Sequence, residues 1–225
     1  MHHFDIVKKF DVTKSFRVSK IMADYDVAPQ HASEHFVGDI EIPDKWNVGV
    51  IVGGSGTGKS TIAKEIFGYA VVSGHIYSAN SVIDDMPKTA SVDDISKMFY
   101  AVGFGSVPAW LRPYSVLSTG EKMRVDLARE LLQNDMVVFD EFTSVVDRQV
   151  AQTASLAIAK AVRKQGKKFV AVSCHYDILD WLEPDLVFDT GSMRNFFGMA
   201  HALEKNLKCA DALEMSGQNL ESIII

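Results

Sequence analysis

Eight consecutive residues constrain the fold of this chain more than any other feature. Residues 53 to 60 read Gly-Gly-Ser-Gly-Thr-Gly-Lys-Ser and fit the pattern G-x-x-x-x-G-K-[ST]. The apolar residues 48 to 52 before them predict a short buried strand, and residues 61 to 67 after them predict the start of a helix. Glycines in such a turn let backbone N–H groups approach a phosphate, and the helix N-terminus adds positive potential. The pattern therefore predicts a phosphate-binding P-loop, or Walker A motif, rather than a merely flexible glycine turn.

The residue types in this loop predict a division of roles toward a nucleotide. Lys59 is expected to reach the β- and γ-phosphates as a catalytic cation, and Ser60 to offer its hydroxyl to Mg²⁺. The other contacts with the phosphates are expected from the rest of the loop and the residue after it. These residues are Gly53, Gly54, Ser55, Gly56, Thr57, Gly58 and Thr61.

A second predicted strand ends in two acids. Residues 136 to 139 are apolar, as in a buried parallel strand, and Asp140 and Glu141 follow them. Two adjacent carboxylates repel each other unless a cation or solvent separates them. We expect Asp140 to hold Mg²⁺ and Glu141 to orient or deprotonate an attacking water, which favours hydrolysis over phosphoryl transfer to an alcohol. The alternative is a solvated strand end followed by a turn.

Between these two segments, a helix is predicted from residue 118 onward. Ser118 is a suitable N-cap, and Glu121, three residues later, is its capping-box partner. The apolar residues on one face of this helix are Met123, Leu127, Ala128, Leu131 and Leu132. Taken alone, the segment predicts only a well-capped amphipathic helix.

The order of these three segments resembles that of the ATP-binding cassette (ABC) ATPases. Leu117-Ser118-Thr119-Gly120-Glu121 resembles their Leu-Ser-Gly-Gly-Gln signature, from which Thr119 and Glu121 depart. The resemblance implies an α/β P-loop NTPase core that binds ATP and Mg²⁺, hydrolyses ATP and forms a homodimer on nucleotide binding. In that dimer, residues 118 to 121 of one copy would contact the triphosphate held by the P-loop of the other copy.

The resemblance assigns two further positions. Residues 144 to 147 look like the D-loop, which crosses the dimer interface and includes Asp147. His175 follows a predicted buried strand at residues 169 to 174, where ABC ATPases carry a switch histidine that senses the γ-phosphate. The resemblance makes His175 a catalytic residue beside Glu141. A structural hydrogen-bonding role is the alternative for a histidine in such a place.

Two features of the family are not matched plainly. No glutamine lies between the P-loop and the signature to serve as the Q-loop residue, and Asn80, Asp84 and Asp85 are open candidates to replace it. Phe16 resembles the aromatic residue that stacks on adenine, Tyr25 is a second candidate, and core packing is the alternative for both. The segment before the signature is also shorter than in transporter cassettes, which argues against transport.

Other stretches are similar to a soluble bacterial and phage branch of the family, whose members are often fused to an acetyltransferase-like domain. They are Phe104, residues 108 to 114 and residues 180 to 185. The chain has no room for that second domain, so the resemblance implies a stand-alone ATPase that drives or regulates a separate protein partner. A nucleic-acid-modifying or acetyltransferase-like enzyme is the expected kind of partner. A transporter subunit and a non-hydrolysing ATP-sensing scaffold are the alternatives.

Composition agrees with one sizeable α/β domain, since the chain has 225 residues and is 47% hydrophobic. We expect a mostly parallel sheet, an N-terminal antiparallel β subdomain and a shortened helical subdomain. The ATPase domain is placed at residues 1–190 and a C-terminal extension at 191–225, with a helix around 196–213. No apolar run approaches the ~18 residues that span a bilayer, and a signal peptide is not evident, so a cytoplasmic location is expected. The net charge of −6 gives no support to nucleic-acid binding.

Overall fold

The computed structural model describes residues 1–9, 15–26, 33–68, 72, 74–144 and 146–197. These residues form two compact units, of which the smaller is Met1–Ile42 and the larger begins at Pro43. No helix in the described part of the chain is long and apolar enough to cross a lipid bilayer.

The smaller unit is a two-stranded sheet with one helix. β1 (His2–Lys9) pairs along its whole length with β2 (Ser33–Ile40), and the two strands are antiparallel. α1 (Phe16–Asp24) lies between them in the chain and begins at Ser15, whose hydroxyl caps its first turn. Phe4 is buried, and its ring fills the space over Gly38. This unit confirms the predicted N-terminal antiparallel β subdomain.

The larger unit contains a five-stranded sheet. Its strands are β3 (Val48–Val52), β4 (Met136–Phe139), β5 (Lys168–Ser173), β6 (Leu186–Asp189) and β7 (Arg194–Phe197). They lie in the order β4-β5-β3-β6-β7, and all pairs are parallel except β6 with β7. The central strands β3, β5 and β6 are apolar and buried nearly throughout, as parallel strands covered on both faces are.

Helices connect the strands. They are α2 (Lys59–Phe67), α3 (Val92–Ala101), α4 (Val107–Trp110), α5 (Thr119–Gln133), α6 (Arg148–Gln165) and α7 (Ile178–Leu182). α6 joins β4 to β5 and ends at Gly166, whose left-handed conformation (φ 66°) terminates the helix. Residues 61–67 and 136–139 thus have the helix and strand that the sequence predicts. The fold class, an α/β P-loop NTPase with a mostly parallel sheet, is confirmed.

Among its described residues, the region between α2 and α5 contains two α-helices, α3 and α4, and two short 3₁₀ turns, Ile83–Asp85 and Tyr114–Val116. The two α-helices are held together by aromatic packing, since Phe99 contacts both Phe104 and Trp110 with ring centroids 5.2 Å apart. The Trp110 indole N–H also donates to the Phe104 carbonyl oxygen at 2.8 Å. This small aromatic core confirms the shortened helical subdomain.

The sheet continues past residue 190, where the C-terminal extension is expected to begin. Asp189 in β6 lies opposite Arg194 in β7, so the two strands form one hairpin across that position. Phe196 belongs to β7, which corrects the start of the helix expected around residues 196 to 213. The remainder of that helix lies outside the described residues.

Candidate functional site

The carboxyl ends of four parallel strands meet at one edge of the sheet. Val52 of β3 pairs with Ser173 of β5 and with Asp189 of β6, and Phe139 of β4 pairs with Ala171 of β5. The residues after these strands therefore share one edge. They are the P-loop after β3, Asp140 and Glu141 after β4, His175 after β5 and Thr190 after β6. Ligands of α/β sheets bind at this edge.

The P-loop has the backbone conformation that its glycines predict. Gly53, Gly56 and Gly58 have φ values of 151°, 81° and 84°, a region that residues with a Cβ rarely adopt. Space also requires glycine at residue 53, because an added Cβ would lie 2.1 Å from the Thr190 hydroxyl oxygen. That hydroxyl donates to the Val52 carbonyl at 3.1 Å and lies 2.5 Å from the Thr57 hydroxyl. Thr190 thus shapes the loop, although it stands 133 residues from Thr57.

Three observations make this loop suitable for the phosphates of a nucleotide. The N-cap of α2 is Gly58, so no side chain caps its first turn and the free N–H groups there are available to an anion. The Lys59 ammonium donates to the Gly54 carbonyl oxygen at 2.6 Å and so lies across the loop. The hydroxyls of Ser60 and Thr61 form no hydrogen bond with other described residues. The loop thus offers a glycine-lined space, unpaired N–H donors and the Lys59 cation, and these features fit the phosphates of a nucleotide.

The two acids occupy a tight turn after β4. Glu141 is exposed with a φ of 54°, and Thr143 is buried with a φ of 64°. Such values are uncommon for residues other than glycine and are rarer still for a β-branched one. The Asp140 carboxylate accepts the Glu141 N–H at 2.9 Å, and the Phe142 N–H bonds to the Val172 carbonyl in β5. The turn is therefore anchored to the sheet while the Glu141 side chain faces solvent.

Metal ligands are sparse at this edge. The part of the chain that the structure describes contains no group of three or more His, Cys, Asp or Glu side chains placed to bind a metal ion. Mg²⁺ typically takes only one or two protein ligands and completes its shell with phosphate oxygens and water. The Ser60 hydroxyl and the Asp140 carboxylate suit that mode of binding, which depends on the nucleotide.

His175 follows β5 and is partly buried. Its backbone N–H donates to the Ser173 hydroxyl at 3.1 Å, which fixes the start of the loop. The imidazole ring forms no hydrogen bond with any other described residue, so its nitrogens are available to a ligand. The next residue, Tyr176, donates its hydroxyl to the buried Asp189 at 2.9 Å and ties this loop to β6.

We call residues 117 to 121 the signature turn. It has the capping box that the sequence predicts. The Ser118 hydroxyl accepts the Glu121 N–H at 3.3 Å. The Glu121 carboxylate in turn accepts the Ser118 N–H at 2.9 Å and its O–H at 2.8 Å. The Ser118 N–H holds the pKa of Glu121 below its usual range. The Glu121 carboxylate therefore occupies both hydrogen-bond donors of Ser118, its N–H and its O–H.

The rest of the signature turn is exposed or closely packed. Thr119 is exposed, whereas a Cβ on Gly120 would lie 3.0 Å from a methyl group of Val150 in α6. The close approach of α6 is thus a structural reason for Gly120, beside the contact with phosphate that the resemblance implies. Asp147 is the N-cap that precedes α6, and its carboxylate accepts the Gln149 N–H at 2.8 Å.

The structure shows the surroundings of the candidates for the Q-loop and for adenine stacking. Asp85 accepts the backbone N–H groups of Ser78 and Ala79, and Asp84 bonds to Ser81, so both acids close local turns. Asn80 is exposed and bonds to no other described residue. The rings of Phe16 and Tyr25 are 84% and 72% exposed, so core packing is not their role. Adenine stacking by either ring stays a prediction.

One group of residues in this region was not predicted from the sequence. Asp126 of α5 accepts hydrogen bonds from the hydroxyls of Tyr77, at 2.7 Å, and Tyr114, at 2.8 Å. The two tyrosine rings stack with centroids 3.8 Å apart. Burial raises the pKa of Asp126 and, together with the hydrogen bonds to Asp126, the pKa values of both tyrosines. We call Tyr77, Tyr114 and Asp126 the Asp126 cluster.

The Asp126 cluster fastens the segment before α3 to the signature helix. On the same stretch, the His75 ring lies 2.6 Å from the Glu130 carboxylate, and the Arg129 guanidinium lies over the Tyr77 ring at 5.0 Å. Three residues before His75, the Val72 N–H donates to the carbonyl oxygen of Val138, so Val72 lies beside β4. These contacts connect the edge of the sheet to α5.

No protein-family model and no curated protein matches this chain. Solved structures do match it. The cbiO1 protein of Clostridium perfringens, part of the ABC transporter complex cbiONQ, has a TM-score of 0.62 and 17% identity over 80% of this chain and 88% of its own. The dimeric structure of MJ0796, a bacterial ABC transporter cassette, has a TM-score of 0.55 and 16% identity over 73% and 92%.

A third match extends beyond transporters. The archaeal ribosome recycling factor aABCE1, in complex with the ribosomal stalk protein aP1, has a TM-score of 0.53 and 23% identity, and covers 68% of this chain and 38% of its own. At these identities the likeness shows the fold and leaves the activity open. This chain has the fold of the ATP-binding domains of ABC-type ATPases.

Proposed function

We propose that this chain is a Mg²⁺-dependent ATPase of the ABC type that closes as a homodimer around two ATP molecules. ATP binding and hydrolysis would drive or regulate a separate protein partner. One observation carries the proposal. The P-loop, the Asp140–Glu141 pair and His175 follow three adjacent parallel strands and therefore meet at one edge, with the roles of cradle, acid pair and switch.

In this proposal each residue of the site has one step. The P-loop amides and the α2 N-terminus bind the β- and γ-phosphates, and Lys59 moves from the Gly54 carbonyl to the γ-phosphate. Mg²⁺, held by Ser60 and Asp140, would neutralise charge on the phosphates. Glu141 accepts a proton from the attacking water, because its carboxylate is exposed at the turn and free to approach it. His175 donates a hydrogen bond to the γ-phosphate.

Dimerisation supplies the remaining contacts. Ser118 and Gly120 of one copy would meet the γ-phosphate bound by the other, and Asp147 would lie at the same interface. The Glu121 carboxylate already occupies the Ser118 N–H and O–H donors. It would have to give up these hydrogen bonds when phosphate arrives, so closure carries an electrostatic cost in this chain that a glutamine would reduce.

The proposal extends to domain organisation and setting. The ATPase domain is placed at residues 1–190 and the extension at 191–225, whose first strand, β7, completes the sheet of the ATPase domain, and the chain acts in the cytoplasm. The resemblance to the soluble branch favours a nucleic-acid-modifying or acetyltransferase-like enzyme as the partner.

The dimer and the hydrolysis step are tested together. In Glu141→Gln, ATP and Mg²⁺ should produce a stable dimer, measured by size-exclusion chromatography with light scattering, because closure occurs and hydrolysis does not. Lys59→Ala in the same background should stay monomeric. A Glu141→Gln protein that binds ATP yet stays monomeric would contradict the sandwich mechanism. Tight ATP binding without phosphate release by the unmodified chain would instead favour an ATP-sensing scaffold.

A nucleotide-binding subunit of a transporter is the second candidate function. It is favoured by the similarity to cbiO1 and MJ0796, which are described as part of a transporter complex and as a transporter cassette. The short helical region, whose described residues form two α-helices, α3 and α4, favours the first candidate. Expression at native level followed by membrane fractionation separates them, because a transporter subunit sediments with membranes.

A further inference from the structure

One arginine joins the loop of the catalytic acid to the loop of the switch histidine. Arg148 is the first residue of α6, and its guanidinium forms a two-pronged ion pair with Asp177. Its Nε donates to Oδ2 of Asp177 at 2.9 Å, and Nη2 bonds to Oδ1. The guanidinium also lies over the Trp181 ring, 4.9 Å from the centroid. Asp177 stands two residues after His175, so this pair fixes the position of the loop around His175.

The third nitrogen of the same guanidinium contacts the loop that carries Asp140 and Glu141. We call this loop, residues 140–144, the acid loop, and the loop around His175, residues 174–177, the switch loop. Nη1 of Arg148 lies 3.4 Å from the Thr143 hydroxyl, which it contacts as a donor. Thr143 is 1% exposed and has a φ of 64°, an unusual conformation for a β-branched residue. Glu141, two residues earlier, has a φ of 54°. Such a turn persists only where its surroundings hold it, and Arg148 provides one of those contacts.

Helix energetics do not explain this arginine. The N-terminus of a helix carries partial positive charge, so a cation in the first turn of α6 is disfavoured there. The capping requirement is met by Asp147, the preceding residue. The ion pair is only about half buried, since the two side chains are 38% and 43% exposed. Its two-pronged geometry and the stacking on Trp181 nevertheless make it stronger than an ordinary surface pair.

We propose that Arg148 is a positioning residue that holds Glu141 and His175 in a fixed relation to each other. The proposal rests on the proposed ATPase function for the roles of Glu141 and His175. Arg148 touches neither of them. It contacts Thr143 on the acid loop and Asp177 on the switch loop, and so it makes the two loops move as one body when ATP is bound.

The chain contains a matched control for this role. Arg163 lies at the other end of α6 and also ties this helix to α7. Its guanidinium donates to the Leu182 carbonyl oxygen at 3.1 Å and to that of Glu183. Arg163→Gln therefore removes hydrogen bonds between α6 and the end of α7, but at the end of α6 that lies away from the acid and switch loops.

The decisive experiment compares Arg148→Gln, Asp177→Asn and Arg163→Gln in steady-state ATP hydrolysis. Arg148→Gln and Asp177→Asn should each lower kcat by roughly ten- to hundredfold with the KM for ATP changed by less than about threefold, because they displace catalytic groups and leave the P-loop intact. Arg163→Gln should keep kcat within about twofold. The exchanged pair Arg148→Asp with Asp177→Arg should recover part of the lost kcat.

A readout without turnover separates failure of this proposal from failure of the proposed function. Hydrogen exchange in the nucleotide-free protein should quicken together at residues 141–144 and 175–177 in Arg148→Gln, and only near residues 182–183 in Arg163→Gln. If the unmodified chain hydrolyses no ATP, this coupled exchange still decides whether Arg148 joins the loops. Unchanged exchange at either loop in Arg148→Gln would overturn the proposal, as would equal kcat losses in the two arginine variants.

Discussion

Tyr114→Phe isolates one hydrogen bond of the Asp126 cluster. The substitution removes the hydroxyl that lies 2.8 Å from Asp126 Oδ2 and leaves the ring, whose stacking on Tyr77 is unchanged. The Asp126 carboxylate then keeps a single tyrosine donor, Tyr77 at 2.7 Å, in a partly buried place. The cost is therefore that of an unsatisfied charged acceptor, without any contribution from a cavity.

The size of this cost follows from the charge on the acceptor. A hydrogen bond to a charged group contributes about 1.5–3 kcal/mol to stability, and burial around Asp126 limits replacement by water. We therefore expect Tyr114→Phe to lower the free energy of unfolding by about 1.5–3 kcal/mol at neutral pH. For a chain of this size, each kcal/mol lowers Tm by about 2–4 °C.

Urea denaturation followed by circular dichroism measures the loss, and Tyr100→Phe is the control. Tyr100 is 58% exposed, and its hydroxyl has no partner among the described residues, so its variant should stay within about 0.5 kcal/mol of the unmodified chain. Tyr77→Phe with Tyr114→Phe should cost more than the sum of the single variants, since the second loss leaves the carboxylate without a tyrosine. A Tyr114→Phe protein as stable as Tyr100→Phe would refute this account of the cluster.

Three further predictions concern pH, the P-loop and the signature turn. Burial raises the pKa of Asp126 in the folded chain above its unfolded value of about 3.9. As pH falls through the folded pKa, the folded state therefore binds a proton that the unfolded state does not, and this proton binding increases stability. Asp126→Asn lacks this contribution. As pH is lowered from neutral to about pH 4, its unfolding free energy should therefore drop more steeply than that of the unmodified chain, as measured by denaturation at a series of pH values. Gly53→Ala should lose about 1–3 kcal/mol of stability and abolish ATP binding, because its Cβ would lie 2.1 Å from the Thr190 hydroxyl oxygen at a φ of 151°. Gly54→Ala, whose Cβ would meet nothing nearer than 3.7 Å, should keep its stability, and equal losses in calorimetry would contradict the steric argument. Glu121→Gln should lose about 0.5–1 kcal/mol of stability yet form the ATP-bound dimer at lower protein concentration, because a carboxylate no longer competes with phosphate for the Ser118 donors. Sedimentation of this variant in the Glu141→Gln background measures the effect, and weaker dimerisation would contradict it.

Local interactions made much of the site predictable from the sequence. The capping box of Ser118 and Glu121 joins residues three positions apart, so its formation depends on little beyond that turn. The strand at Val48–Val52 and the turn after it follow from a fully apolar run and from glycines that alone suit the backbone there. The acids after β4 and the histidine after β5 were located because buried parallel strands are apolar until they end.

Contacts between distant segments were decided by the tertiary structure. Thr190 lies against Gly53 only because β6 pairs with β3, and nothing in the sequence near either residue states that pairing. Asp126 meets Tyr77 across 49 residues, and Arg148 meets Asp177 across 29. The sequence alone determined which chemical groups end each strand and start each helix, since those choices depend on neighbours within a turn. Sheet order and helix packing decided which of these side chains contact each other. The strand and helix pairings depend on burial of the whole apolar core, to which all segments of the chain contribute together.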